Sequence, residues 1–207
     1  MKGYFLSVEG GDGSGKSTQI KNIKEYLTER GQEVILTREP GGTPVAEKIR
    51  ELILDPANKA LTGRAEMLLY AASRAQHVEE KILPALAEGK TVLSDRFTDS
   101  SIAYQGYGRE LGDAVRVINE YAVCGCMPDV TFLMELDPSI GKSRIRADVQ
   151  DRLELEKIDF HNRVFEGYKE IAKLYDDRFA CIDASRGKEE IRADIIGRLE
   201  SILQGRG

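Results

Sequence analysis

The segment Gly10-Gly11-Asp12-Gly13-Ser14-Gly15-Lys16-Ser17 constrains this chain more than any other. It fits the phosphate-loop pattern G-x-x-x-x-G-K-[S/T] completely, a match that chance gives a chain of this length on the order of 1% of the time. A strand-like run, Tyr4-Phe5-Leu6-Ser7-Val8, precedes it, and a helical pattern from Lys16 to Arg30 follows. That is the strand–loop–helix context the loop needs to work. Glycines let the backbone wrap closely, so that successive N–H groups point inward at phosphate oxygens. The following helix adds its positive N-terminal end. Lys16 is placed to reach the β- and γ-phosphates, and the Ser17 hydroxyl to ligate Mg²⁺. The competing reading is a glycine-rich turn that binds nothing.

The rest of the pattern agrees with such a loop. Strand-length apolar runs at 33–37, 91–94, 130–134 and 179–182 alternate with helical stretches, which implies a mainly parallel sheet covered on both faces. Thr43-Pro44 starts a helix reaching about Leu54. A long helix is expected over 64–88, with a kink near Pro84. Residues 100–125 read as mostly helical, and helices are expected from Pro138, over 156–176 and over 188–204. With 207 residues, 41% apolar and 31% charged, the chain suits a single domain with a full core.

Composition excludes several functions. No apolar run approaches the ~18 residues of a membrane span. The net charge of −5 disfavours non-specific nucleic-acid binding, which needs a concentrated basic face. It leaves room for a small anion held by a few arginines. Cys124, Cys126 and Cys181, with no signal-peptide pattern, suggest free thiols in a reducing, cytoplasmic setting. Cys124-Gly-Cys126 lacks the second ligand pair of a structural zinc and reads as small residues on a half-buried helix.

A phosphate loop alone leaves three large classes open. A GTPase needs Asn-Lys-x-Asp, but Asn58-Lys59 continues Ala60-Leu61. Motors usually end a strand in an acidic pair, whereas the third strand here ends Asp95-Arg96. There Asp95 can hold Mg²⁺ as a Walker-B acid does, and Arg96 can clamp a second anion with two prongs. A local ion pair of Arg96 with Asp95 or Asp99 is the plainer alternative. Transfer to a small phosphorylated acceptor is the class that remains. Tyr70 and Arg74, four residues apart, share a helix face where a ring and a guanidinium can meet a flat base, although such a pair is also ordinary surface. Arg38-Glu39-Pro40-Gly41-Gly42-Thr43 suits a rigid loop near a ligand, or a simple turn. Arg144, Arg146 and Arg152 form either a solvated charged face or a closing lid.

These pieces together resemble the bacterial thymidylate kinases. The likeness is carried by Glu9 to Thr18, Thr37 to Thr43, Leu68 to His77, Asp95 to Gly106, Pro128-Asp129 and Asp151-Arg152, in that order over nearly the whole chain. The resemblance implies an α/β nucleoside monophosphate kinase fold, with a five-stranded parallel sheet and helices on both faces. It implies one domain over 1–207 with a short lid at about 141–155, and a homodimer in which the helix at 64–88 is a candidate interface. It implies transfer of a phosphoryl group from ATP to dTMP with Mg²⁺. Gly10, Gly11, Asp12, Gly13, Ser14, Gly15, Lys16, Ser17, Thr18 and Arg144 fall on the ATP side. Asp12, Glu39, Pro40, Tyr70, Arg74, Arg96, Ser101 and Tyr104 fall on the dTMP side, with Tyr70 stacking on thymine and Arg74 at its edge. Lys16, Asp95, Arg96 and Arg152 are the implied catalytic set. Tyr70 stands where the family usually has Phe, and Phe97 where it usually has Tyr. Some relatives carry an arginine inside the phosphate loop where this chain has Gly13, so the lid is expected to supply that charge, through Arg152. Other readings are a P-loop switch or ATPase without an acceptor, a non-catalytic nucleotide-binding module, and a related kinase with another small acceptor.

Overall fold

Strand β1 (Phe5–Gly10) is buried along its whole length, and the other elements wrap around it in a computed structural model that describes residues 3–144 and 151–204. Strands β2 (Val34–Arg38), β3 (Thr91–Asp95), β4 (Val130–Glu135) and β5 (Phe179–Asp183) join it in the order β2-β3-β1-β4-β5. Every pairing is parallel. Parallel neighbours need crossovers, and helices supply them. These are α1 (Lys16–Glu29), α2 (Pro44–Leu54), α3 (Gly63–His77), α4 (Leu83–Ala87), α5 (Thr98–Ser101), α6 (Ala114–Ala122), α7 (Pro138–Arg144), α8 (Ile158–Leu174) and α9 (Lys188–Gln204).

Local chemistry sets most boundaries. Thr43 caps α2 by accepting the Ala46 N–H at 3.4 Å, with Pro44 in the first turn. The expected helix over 64–88 is segmented rather than simply kinked: a π-helical turn, Val78–Ile82, separates α3 from α4. It lies just before Pro84, which has no N–H to give the preceding turn. A second π-helical turn, Ile102–Gly108, continues α5. Cys124 and Cys126 follow α6 in a turn, the first exposed and the second buried, rather than on the helix itself.

Alternation along β1 divides the core. Leu6 and Val8 pack with Ile20, Ile23 and Leu27 of α1 and with Ile191, Ile195 and Leu199 of α9. Burying each such side chain is worth roughly 1.5–3 kcal/mol. Phe5 turns the other way, onto Val78, Ile82 and Phe97. Ser7 and Glu9 follow it there, buried and polar. Ser7 meets Thr131 Oγ1 at 2.8 Å, and Glu9 reaches the functional site. The chain leaves β1 toward the edge strand β2 but leaves β3 toward β4, on the far side of β1. Such a switch opens a crevice beyond the carboxyl ends of the two strands. Among the described residues no helix is long and apolar enough to cross a membrane.

Candidate active site

A cavity of about 670 Å³ fills that crevice. Its floor is the loop after β1. Gly10, Gly13 and Gly15 have φ of 135°, 76° and 88°, a region that side chains disfavour. Gly13 has a second reason to be glycine: a Cβ there would lie 2.3 Å from Gly141 O of α7. A Cβ on Gly141 would in turn lie 2.4 Å from Asp12 O. Loop and lid helix therefore touch backbone to backbone, and no side chain fits between them. Arg144, at the end of α7, lines the cavity and donates from Nη1 to Gly13 O at 3.4 Å.

Lys16 is buried, with Nζ donating to Gly10 O at 3.0 Å and Gly11 O at 2.9 Å. Burial, helped by the charge of Arg96, pushes its pKa down to about 8 against the pull of Asp12 and Asp95. The ammonium thus rests on loop carbonyls, with Asp12 Oδ1 3.9 Å away. Ser14 Oγ closes the loop on Gly11 O at 2.7 Å. Ser17 and Thr18 are exposed on the cavity wall.

The wall beside Lys16 comes from the end of β3. Asp95 Oδ1 is buried and has no hydrogen-bond partner among the described residues. Next to it, Arg96 holds φ at 68°, which a non-glycine residue keeps only when its surroundings over-determine it. Four contacts do so. Nη2 donates to Asp12 Oδ1 at 2.6 Å and to Tyr104 OH at 3.2 Å. Nη1 donates to Ser100 Oγ at 3.1 Å and to Tyr168 OH at 3.2 Å. Burial opposes the Arg96 charge, but Tyr104, Asp12, Tyr168 and Asp95 outweigh it and hold its pKa above the ordinary value. Asp12 is likewise held low by Arg96 and Lys16 against its own burial. The local pair with Asp99 does not form, because Arg178 takes both Asp99 oxygens at 2.7 Å.

Glu9 sits beneath this cluster. It accepts from Phe97 N at 2.7 Å, Ser100 Oγ at 2.5 Å and Tyr168 OH at 2.8 Å. Burial, and then the nearby Asp99, push its pKa up to about 7. The sequence assigns it no role, because it falls between the apolar run that ends at Val8 and the glycine loop.

Helix α3 forms the opposite wall. Glu66, Tyr70 and Arg74 recur every four residues and share one face. Arg74 is 1% exposed. Its Nε donates to Glu39 Oε2 at 2.7 Å, Nη1 to Ser101 Oγ at 3.0 Å and to Asn119 Oδ1, and Nη2 to Phe97 O at 3.1 Å. Four of its five N–H groups are used, which leaves one without a partner among these contacts, on a residue that lines the cavity. The other oxygen of Glu39 accepts from His77 Nδ1 at 2.9 Å, and His77 Nε2 meets Thr37 Oγ1 at 2.6 Å. Glu39 thus fixes the direction of Arg74, and both Glu39 and Pro40 line the cavity. Tyr70 and Tyr104 also line it, and burial pushes both phenol pKa values up.

Gln105 is a second residue the sequence reading passed over. It lines the cavity, and its Oε1 is buried without a partner among the described residues. Its Nε2 donates to Glu66 Oε1 at 2.9 Å. Extending the four-residue spacing from Ser101 to Gln105, and from Tyr70 back to Glu66, would have found both.

The lid differs from expectation. Arg152 does not line the cavity. It is buried, with Nε on Ile53 O at 2.8 Å and Nη2 on Glu66 Oε2 at 2.5 Å. Asp151 lines the cavity and ties its own turn by accepting the N–H groups of Leu153 and Glu154 at 2.8 and 2.9 Å. Arg146 and the rest of 145–150 lie outside the described residues.

Comparison with known proteins gives the family. The family model described as thymidylate kinase matches residues 8–195. A thymidylate kinase of Halothermothrix orenii is 51% identical, over 98% of this chain and 99% of that one. One of Lactobacillus helveticus is 50% identical, over 98% of each. The crystal structure of a thymidylate kinase from Ehrlichia chaffeensis superposes with a TM-score of 0.78 at 33% identity, covering 97% of this chain and 99% of that one. On these grounds the chain belongs to the thymidylate kinase family.

Proposed function

We infer that the two ends of the cavity divide the family's reaction, ATP + dTMP → ADP + dTDP, between them. The loop end takes the triphosphate, with Lys16 exchanging loop carbonyls for the β- and γ-oxygens. Arg96 takes the acceptor phosphate beside Asp12 and Tyr104. The acceptor phosphate is already an anion, so the transfer needs alignment and neutralisation of charge more than a base. Lys16, Arg96 and Arg144 bring the positive charge that such a transition state requires. Arg144 is favoured over Arg152 as the lid's contribution, because its guanidinium already reaches the loop.

The residues present fit Mg²⁺: Ser17 offers a hydroxyl and Asp95 an unpartnered carboxylate oxygen on one cavity wall. A bound Mg²⁺ would neutralise charge on the β- and γ-oxygens.

The observation that carries the acceptor reading is the remaining Arg74 N–H together with the unpartnered Gln105 Oε1. A donor and an acceptor on one wall match the O4 and N3–H of a thymine ring stacked on Tyr70. The test is an ADP-release assay across the nucleoside monophosphates. dTMP is expected to be strongly preferred and dCMP rejected, with Arg96→Lys raising KM for dTMP but not for ATP. Damage confined to ATP would move Arg96 to the donor end. We also assign the exposed Leu68 of α3 and Val117 and Tyr121 of α6 to a homodimer interface, which Tyr121→Glu should break in a measurement of mass in solution.

A further inference from the structure

We propose that Glu66, outside the cavity, makes the site demand a base with an N–H donor by fixing the amide of Gln105. The inference rests on the reading that Gln105 faces the base.

A glutamine amide can present either its oxygen or its NH₂ to a ligand, and its surroundings decide which. Here Glu66 decides. It is fully buried and gathers Gln105 Nε2 at 2.9 Å, Arg109 Nη2 at 3.1 Å and Arg152 Nη2 at 2.5 Å. A carboxylate placed between two guanidinium groups only accepts. Turning the Gln105 amide over would set its oxygen against that carboxylate, with both buried and neither able to donate. The oxygen must therefore face the other way, on a residue that lines the cavity, and there it has no partner among the described residues. A base bringing N–H to that point satisfies it. A base bringing a lone pair leaves two acceptors facing each other, which a site built around a hydrogen bond rejects most strongly.

The same geometry gives Arg152 and Arg109 a purpose away from the phosphates. They surround Glu66 with donors, so that its only remaining demand falls on Gln105. Arg109 is itself held from outside by Glu156 at 2.5 Å.

The test compares kcat/KM for dTMP with that for its 3-deaza analogue, a 4-hydroxy-2-pyridone that carries C–H in place of N3–H and a hydroxyl in place of O4, the second change meeting every variant alike. The intact enzyme should favour dTMP on the order of 10- to 100-fold, the effect of leaving a buried acceptor unpaired. Gln105→Ala should lower that ratio at least roughly fivefold, leaving only the part that the O4 change contributes. Glu66→Gln should lower it at least roughly fivefold, because the new amide lets Gln105 present either end. Glu66→Asp keeps a carboxylate for the arginines but withdraws it from Gln105. It should lower the ratio in the same direction, and it decides the matter if Glu66→Gln does not fold. A purely structural role would slow both substrates alike and leave the ratio unchanged. If Gln105→Ala lowers the preference while both Glu66 variants keep it in full, the role of Glu66 is overturned and the acceptor reading stands. If Gln105→Ala leaves the preference intact, the acceptor reading itself fails, and this inference with it.

Discussion

Replacing Arg152 with methionine separates the two readings of the lid. Methionine keeps much of the aliphatic stem and removes two donors. The first loss is the bond from Nε to Ile53 O at 2.8 Å, worth about 0.5–1.5 kcal/mol net. The second is the charged bond to Glu66 at 2.5 Å, worth about 1.5–3 kcal/mol. Glu66 keeps Arg109 and Gln105, so the larger penalty for an orphaned buried charge does not apply in full. The sum is about 2–4 kcal/mol. In a chain of this size each kcal/mol lowers Tm by roughly 2–4 °C, so a fall of about 5–15 °C is expected. The same change at Arg144 removes an exposed side chain that reaches only Gly13 O. It should leave Tm nearly unchanged but lower kcat/KM for ATP by roughly 10- to 100-fold, as loss of a preorganised cation does. Calorimetry and steady-state kinetics on both variants complete the comparison. If Arg152→Met keeps the parent Tm and loses about a hundredfold in kcat, then Arg152 leaves Glu66 when the lid closes and acts on the phosphates, and the assignment above is wrong.

Two further outcomes concern protons. With Lys16 held near 8 in the empty site, bound phosphate should raise it, so ATP binding takes up a proton near pH 8.5 and weakens as pH rises through 8. Titration calorimetry in buffers of different ionisation enthalpy measures this, and zero uptake, or equal uptake by Lys16→Ala, contradicts it. Glu9 titrates in the opposite context. Between the ordinary glutamate range and about 7 the folded chain holds a proton that the unfolded chain has released, so rising pH destabilises the fold across that window and has no further effect above it. Glu9→Gln lacks this slope, so its Tm relative to the parent should climb from pH 5 to 7 and then level off; a constant difference would remove the burial penalty from the account.

The parts of this protein legible in its sequence are those governed by neighbours along the chain. The turn from β1 into α1 needs glycines at Gly10, Gly13 and Gly15, and a lysine and a serine at its exit, whatever else the chain does. Alternating apolar runs require a covered parallel sheet, and helix spacing alone joins Tyr70 to Arg74. Packing across the chain decided the rest. Nothing near Gly13 says that the Gly141 backbone will lie against it and shut out a side chain. Nothing near Arg152 in the chain says that Glu66 of α3 will meet it. Glu9 carries no role of its own in the sequence until Ser100 and Tyr168 close over it. Gln105 shows no preference for either end of its amide until a carboxylate 39 residues earlier in the chain takes one of them. A side chain's covalent chemistry sets what it can donate or accept, but burial and the partner opposite it set what it must do, and those come only from the fold.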